Sequence, residues 1–201
     1  GGYEMGVYSY VYTPAFRTDL MPEGFKVDSW KVLWDKSMEG KLGLPDFDPS
    51  HIVIASSIME GKTPSDWESV TDKLEALKPS IKAFYQSDAT SQDLIRTGET
   101  PVQVLLSING YHLIEQGVPI EIDIPSEGAV VGIGALGINA GTKKLDAAHE
   151  FINVALDPAI QEQLCEFHKC SPMNQKAKVS PELAKLPGIF TTPEQWEKEA
   201  I

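Results

Sequence analysis

The chain has 201 residues, of which 42% are hydrophobic and 23% are charged, the proportions of an ordinary globular protein. Its 29 acidic and 17 basic residues give a formal net charge of −12. This charge argues against nucleic acids and anionic membranes as partners, because both require a basic face. No apolar run is long enough to cross a bilayer.

The amino-terminal segment predicts a strand followed by a helix. Tyrosines alternate with small or apolar residues over 6–13, which is the period of a strand, and Pro14 is expected to end it. Residues 28–44 combine apolar helical spacing with two glycines near their end. This pattern indicates a short helix and then a turn.

A compact apolar and β-branched run at 51–55 predicts a buried strand of a parallel sheet. Ser56 and Ser57 come directly after it, in the position of residues that cap the next helix. A capping box begins at Ser65 and predicts a further helix. The apolar residues expected to share one face of that helix are Trp67, Val70, Leu74 and Leu77.

Strand and helix patterns continue to alternate along the rest of the chain. Strands are predicted over 80–85, 102–107 and 118–125, and helices over 91–98, 111–117, 143–156 and 158–168, with an Asn-Gly turn at 109–110 and two short helices in the tail. Such alternation is typical of an α/β fold with a largely parallel sheet.

Gly132, Gly134 and Gly137 form a G-x-G-x-x-G motif, the spacing of a dinucleotide-binding loop. This motif raises the alternative of a nucleotide-dependent oxidoreductase. In such a loop the strand ends at the first glycine, whereas here the alternating pattern continues to Ile138 and a helix is not expected before Lys143. A returning strand is therefore favoured, and no cofactor is expected.

Polar residues at the predicted ends of two strands indicate a binding pocket. Ser56 and Ser57 follow one strand; Ser107 and Asn109 close another, with Tyr111 just beyond. Loops at the carboxyl ends of parallel strands are where α/β folds bind small ligands. Each residue taken singly is equally well explained as a cap or turn residue, but two neighbouring strand ends favour a pocket floor.

Arg96 and the tyrosines of the first strand are weaker candidates. Arg96 could hold a carboxylate, although its setting is that of an exposed helix end. Tyr8, Tyr10 and Tyr12 share one strand face, which is more often used for packing than as a stacking platform.

Cys165 and Cys170 are the only two cysteines. A disulfide and a pair of unbonded buried thiols remain open alternatives, whereas a zinc site lacks further ligands at close spacing. The four histidines are scattered, and no G-x-S-x-G nucleophile elbow occurs. With no catalytic constellation in the sequence, we expect a protein that is not an enzyme.

Several segments occur in a recognisable order: WKVLWDKSMEGKLGLPD, FYQSD, an L-I-x-x-G-E before VQVLL, IPSEGAVVGIGALGIN, FINVALDPAIQEQ and CSPMNQKA. Together they resemble the spermidine/putrescine-type periplasmic solute-binding proteins of ABC transporters, in extracellular solute-binding family 1. The resemblance implies a type II periplasmic-binding-protein-like α/β fold whose two lobes close on a small solute. It also implies an ABC permease in the inner membrane as partner, and a periplasmic location or a membrane-tethered extracellular one in a Gram-positive organism.

The same resemblance implies a division of the chain. Residues 1–16 correspond to a crossover strand, 17–126 to a complete second lobe, and 127–201 to a returning crossover strand and the C-terminal helices of an incomplete first lobe. An incomplete lobe would leave apolar faces of the 143–168 helices uncovered. We therefore expect either self-association or a missing partner segment that covers these faces. A separate alternative is a fragment that binds nothing unaided, because half of the cleft is missing.

The chain departs from the polyamine-binding pattern of the family. Gly132 and Gly134 stand where the family has a tryptophan and an aspartate, and Ser57 stands at its cleft aspartate, although Glu60 matches a nearby glutamate. These departures favour an amino acid or another zwitterion, with its carboxylate near Arg96 or at the helix N-terminus, over spermidine. The expected ligand-binding residues are Tyr8, Ser56, Ser57, Glu60, Arg96, Ser107, Asn109, Tyr111, Gly132 and Gly134.

Overall fold

A seven-stranded sheet organises residues 4–201, the part of the chain that the computed structural model describes. Its strands are β1 (Glu4–Arg17), β2 (Leu42–Pro45), β3 (Ile81–Tyr85), β4 (Val102–Leu106), β5 (Ile120–Ile122), β6 (Val130–Gly137) and β7 (Ser171–Pro172). The order is β3-β2-β4-β1-β5, and β6 and β7 also pair with β1. β2 is parallel to β3 and β4, whereas each partner of β1 is antiparallel to it. The α/β class is confirmed, but the sheet is mixed and not largely parallel.

Seven α-helices accompany the sheet within these residues. They are α1 (Ser50–Met59), α2 (Thr71–Leu77), α3 (Asp88–Thr97), α4 (Ser107–Glu115), α5 (Leu145–Ala155), α6 (Pro158–His168) and α7 (Pro193–Glu199). Short 3₁₀ helices lie at Trp30–Trp34, Lys36–Met38, Trp67–Val70, Lys78–Ser80 and Leu183–Lys185. Within residues 4–201, no helix has both the length and the apolar composition needed to cross a membrane.

The prediction that Pro14 ends the first strand is wrong, because β1 runs on to Arg17. On one side of β1, the pairing with β6 ends at Tyr12 and the pairing with β5 begins at Ala15. The Pro14 carbonyl accepts a hydrogen bond from the Asp123 amide at 3.3 Å, so the proline nitrogen faces the same side. The missing N–H of Pro14 therefore lies between the two ladders, and its absence removes little of the hydrogen bonding between strands.

The predicted strand at 51–55 is also wrong, because these residues lie in α1. Their β-branched side chains are only slightly unfavourable in a helix, and burial of one face outweighs this preference. The strand lies earlier in the chain, where a turn was expected: β2 is buried at all four positions, between β3 and β4. A Cβ at Gly43 would lie 2.9 Å from the Gln103 Cγ, so glycine permits the close approach of β2 to β4.

The other elements follow their predictions more closely. Strands β3, β4 and β5 and helices α3, α5 and α6 form where the patterns predict them, and Gly98 ends α3 with a φ of 79°. The helix after Ser65 begins as a 3₁₀ turn, and its Trp67 is exposed. Helix α4 begins at Ser107, so the expected turn at Gly110 is absent.

The glycine motif lies in β6, which pairs with β1 as a returning strand. Helix α5 does not begin until Leu145. A dinucleotide loop would need the helix close to the second glycine, so its amides could face a pyrophosphate. The expectation of a strand is confirmed, and the geometry of a cofactor loop is not present at this motif.

Candidate ligand-binding site

Three parallel strands end side by side and position the candidate site. β2 leads through Asp48 into α1, β3 leads through Ser87 into α3, and β4 continues directly into α4 at Ser107. β1 runs antiparallel to β4 with Tyr12 opposite Leu106, the last residue of β4. Residues of β1 that precede Tyr12 therefore extend beyond the strand ends, which is the edge where α/β folds bind ligands.

Three tyrosines of β1 form a ladder along this edge. Tyr8, Tyr10 and Tyr12 point to one face because side chains alternate along a strand, and their successive ring centroids are 6.0 Å apart. The ring of Tyr12 lies against the imidazole of His51, with 3.6 Å between centroids and 32° between planes. His51 belongs to the first turn of α1 and is buried. The ladder thus ends on a histidine that the sequence did not single out.

Gly132 and Gly134 lie beneath the tyrosine rings. A Cβ at Gly132 would lie 2.2 Å from the Tyr10 Cε2, and a Cβ at Gly134 would lie 2.4 Å from the Tyr8 Cζ. Only glycine permits rings this close to the neighbouring strand. The two glycines therefore support the ladder, and Tyr10 and Tyr8 occupy the space above them.

Two carboxylates lie near the ladder. Burial raises the pKa of Tyr10, and the charges of Tyr8, Asp88 and Asp48 raise it further. Burial likewise raises the pKa of Tyr12, with Asp88 the largest charged contributor. The Asn109 amide donates to the Asp88 Oδ1 at 2.9 Å and holds that carboxylate in place. We call these seven residues the strand-end cluster: Tyr8, Tyr10, Tyr12, Asp48, His51, Asp88 and Asn109.

His51 is held in one tautomer by Asp48. The His51 Nδ1 lies 3.0 Å from the Asp48 carbonyl oxygen, which can only accept, so Nδ1 carries the proton in the neutral ring. The His51 Nε2 lies 3.7 Å from the Asp48 Oδ2. Burial lowers the pKa of His51 below its ordinary value, although Asp48 opposes this effect. The ring is therefore neutral at neutral pH.

The strand-end cluster carries net negative charge. Burial alone would raise the pKa of Asp48, but hydrogen bonds from Ser50 and the nearby His51 bring it below its usual range. Within residues 4–201, no lysine or arginine nitrogen lies within 4.0 Å of the Asp48 or Asp88 carboxylate. Unneutralised carboxylates beside aromatic faces are suited to a cation that can donate hydrogen bonds.

Besides Gly132 and Gly134, three predicted ligand-binding residues lie in or beside this cluster. Tyr8 and Asn109 belong to it. Ser107 is buried beneath it, and its Oγ accepts a hydrogen bond from the Val11 amide at 3.3 Å, which ties β1 to the start of α4. Ser107 therefore supports the site and has no free hydroxyl surface for a ligand.

The structure does not place Ser56, Ser57 or Glu60 at the strand ends. Both serines are fully buried in the second half of α1, where the Ser57 Oγ donates to the Val53 carbonyl at 2.9 Å. Glu60 ends that helix, about 13 Å along its axis from His51, and forms a 2.6 Å ion pair with Lys73. The expectation failed because it placed a strand where α1 forms.

Arg96 and Tyr111 are also separated from the cluster. Arg96 lies in the last turn of α3, about 12 Å along the helix from Asp88, and contacts Asp93 at 2.9 Å and Gln116 at 3.0 Å. The Tyr111 hydroxyl donates to the Pro187 carbonyl at 2.5 Å, within an apolar cluster. A ligand carboxylate at the strand ends would therefore not reach Arg96 in this arrangement.

The expected ligand-binding residues did not include five members of the cluster: Tyr10, Tyr12, Asp48, His51 and Asp88. A usable signal was present at the start of α1, where Asp48 precedes Pro49 and Ser50 as in many helix starts. Ser87 caps α3 by accepting from the Thr90 amide at 3.2 Å, which places Asp88 in the first turn. Recognition of β2 as a strand would have brought these residues to one edge.

A concavity lies between β6, β7 and α7. Its volume is about 460 Å³, and its walls are mainly apolar, with Phe190, Trp196 and Met173 among them. It lacks the converging carboxylates of the strand-end cluster. Within residues 4–201, no group of three or more His, Cys, Asp or Glu side chains is arranged to hold a metal ion.

Comparison with known proteins gives a consistent result for the whole chain. A family model described as bacterial extracellular solute-binding protein matches residues 2–191. The putrescine-binding periplasmic protein PotF of Escherichia coli K12 is 26% identical over 187 residues, covering 85% of this chain and 50% of that protein. The spermidine/putrescine-binding periplasmic protein 1 of Haemophilus influenzae is 25% identical over 183 residues, covering 88% of this chain and 50% of that protein.

A solved structure supports the same fold. An ABC transporter substrate-binding protein from Bradyrhizobium japonicum superposes with a TM-score of 0.85 at 22% identity, covering 100% of this chain and 64% of that one. The chain thus has the fold of these transporter proteins, and it spans about half the length of the curated relatives it matches.

Proposed function

The chain belongs to the bacterial extracellular solute-binding protein family, and on that premise we propose that it captures a small solute for an ABC importer. The family is named for binding and not for catalysis, and the two curated relatives are periplasmic proteins. A periplasmic location, and delivery of the solute to an ABC permease in the inner membrane, complete the proposal.

The proposed solute is a small molecule that carries a protonated amine. The observation that carries this assignment is the pair Asp48 and Asp88, which lie near Tyr10 and Tyr12 and have no lysine or arginine nitrogen within 4.0 Å among residues 4–201. An ammonium group can donate to both carboxylates and lie against the ring faces. The names of the two relatives support the assignment, because putrescine and spermidine are amines.

The proposed amine site changes the ligand expected from sequence. Arg96 is bonded elsewhere and lies at the far end of α3, so it does not support a zwitterion whose carboxylate is held by this arginine. The chain lacks the tryptophan and the aspartates of the polyamine-binding pattern at the family's positions. In the proposed site, Asp48, Asp88 and Tyr10 take their place.

The proposed architecture keeps the division into residues 1–16, 17–126 and 127–201. β1 pairs through its second half with β4 and β5 and through its first half with β6 and β7, which is the pattern of a strand shared by two lobes. The strand-end cluster would form one wall of the cleft. The opposite wall would come from parts of the first lobe that its relatives possess.

Titration calorimetry tests this proposal. Putrescine, spermidine, glutamate and glucose are titrated into this chain and into a version extended to the length of its relatives. We expect heat from the amines, and at least tenfold weaker binding after Asp48→Asn or Asp88→Asn. Asp93→Asn is the matched control, because Asp93 contacts Arg96 at the other end of α3.

Binding by the extended protein alone would show that the 201-residue chain is a fragment that binds nothing unaided. Equal amine affinity in both cluster variants and in the control, or binding of glutamate or glucose in place of amines, would overturn the assignment.

A further inference from the structure

We propose that Cys165 and Cys170 form an intrachain disulfide when the protein folds under oxidising conditions, closing the end of α6 onto β7. Both cysteines are fully buried, and their sulfur atoms lie 3.4 Å apart. Neither thiol is bonded covalently in the structure. Only a small side-chain movement separates this contact from a sulfur–sulfur bond.

The backbone brings the two residues together independently of their side chains. The Cys165 carbonyl accepts from the Lys169 amide at 2.8 Å and from the Cys170 amide at 3.3 Å. Lys169 has a φ of 56°, and it is the one non-glycine residue with positive φ among residues 4–201. This is a left-handed end of a helix, and it returns the chain across its own last turn. A direct backbone hydrogen bond keeps the two Cα atoms within the range that a disulfide spans.

The disulfide would stabilise the apolar group and the strand β7, which lie beside Tyr8 of the tyrosine ladder. Cys165 and Cys170 pack with Leu183 and Ile189, and Tyr8 lies against this apolar group. Cys170 directly precedes β7, whose two residues pair with Tyr8 and Ser9 of β1. A disulfide at this position would fix the junction between α6 and the strand that lies beside the ladder.

The redox step needs a small disulfide as oxidant, for which oxidised glutathione is the probe. One cysteine thiolate attacks it, forming a mixed disulfide and releasing one glutathione thiol. The second cysteine thiolate then attacks the mixed disulfide, forming the protein disulfide and releasing a second glutathione thiol. Two protein thiols are oxidised and one small disulfide is reduced to two thiols.

This reaction is expected before the native packing is complete. The hydrogen bond with Cys170 and then burial raise the pKa of the Cys165 thiol, so the folded chain offers little thiolate. The two residues are five positions apart and meet early in folding. The folded, reduced protein should therefore react slowly, whereas the refolding chain should oxidise readily.

The experiment refolds the full chain from denaturant in oxidised and reduced glutathione, or in reductant alone. Each product is unfolded again and treated with iodoacetamide without reductant, and its mass is measured. After oxidative refolding, we expect no alkylated cysteine and a mass lower by two hydrogen atoms; after reductive refolding, two alkylated cysteines. Oxidation should raise the midpoint of thermal unfolding by several degrees, and the Cys165→Ser, Cys170→Ser double variant should lose this redox dependence.

Two alkylated cysteines or bound glutathione after oxidative refolding would overturn the proposal, as would a lower thermal midpoint of the oxidised chain. The occurrence of the bond in cells rests on the extracellular location in the proposed function, because disulfides persist in oxidising compartments. The refolding test needs no ligand. A failure of amine binding and a failure of the disulfide are therefore distinguishable.

Discussion

The sheet region with α1–α4 and the C-terminal helices differ in how their apolar residues are covered. Around the sheet, Trp30, Leu33, Met38 and Leu42 are fully buried in one core. By contrast, α5 has no buried residue, and its exposed apolar residues are Leu145, Phe151 and Val154. The expectation of uncovered apolar faces over 143–168 is therefore confirmed for α5. The difference shows that an amphipathic pattern predicts a helix without showing what covers it.

Self-association through this uncovered face stays a prediction. Phe151→Glu would place a charge in the middle of the exposed apolar face of α5 and should disfavour contact between copies. Sedimentation velocity at rising concentration measures the effect. A monomeric parent chain over the whole range would contradict the prediction.

The largest expected effect is the difference in unfolding free energy between truncating a buried aromatic residue of the sheet core and truncating an exposed one of α5. Trp30→Ala should lower the free energy of unfolding by about 3–5 kcal/mol, because it leaves a cavity and removes the 2.7 Å hydrogen bond from Nε1 to the Gly128 carbonyl. Phe151→Ala should change it by less than about 0.5 kcal/mol, because that side chain is 64% exposed. Urea unfolding measures both. Similar losses would show that α5 is covered in solution.

A smaller effect is expected where β6 supports the tyrosine ladder. Gly132→Ala should displace the Tyr10 ring, at a cost of about 1 kcal/mol in unfolding free energy, and weaken amine binding if that ring contacts the solute. The same substitution in a Tyr10→Ala background should cost less, because the 2.2 Å clash is with that ring. Equal costs in both backgrounds would show that the contact is not the cause.

The smallest expected effect is a pH dependence at His51. Because burial lowers its pKa in the folded chain, the unfolded chain takes up the proton first as the pH falls below 6.5. Stability should therefore be fully present above this value and decrease below it. Protonation of His51 in the folded chain occurs at a lower pH than in the unfolded chain and adds positive charge beside Asp48, so amine affinity should fall there. His51→Gln should remove both dependences, as measured by thermal unfolding and calorimetry at pH 7 and pH 5.5. If the variant retains the pH profile of the parent chain, groups other than His51 cause the pH dependence.

The amino-acid sequence by itself determined the α/β class, the returning strand at the glycine motif and the helices α3, α5 and α6. In these segments the period of apolar residues, Gly98 and Pro158 act locally and agree with the final structure. It also placed Tyr8 and Asn109 among the ligand-binding candidates.

Only the tertiary structure decided which residues meet at the strand ends. The run 51–55 has a strand-like composition, yet burial of one face against the core makes it helical, and this moves Ser56, Ser57 and Glu60 away from the edge. The four-residue strand β2 is too short to have a period of its own, and its position depends on β3 and β4 on either side. Asp48 and Asp88 lie 40 positions apart in the chain and come near the same tyrosines, because parallel neighbouring strands end at one edge.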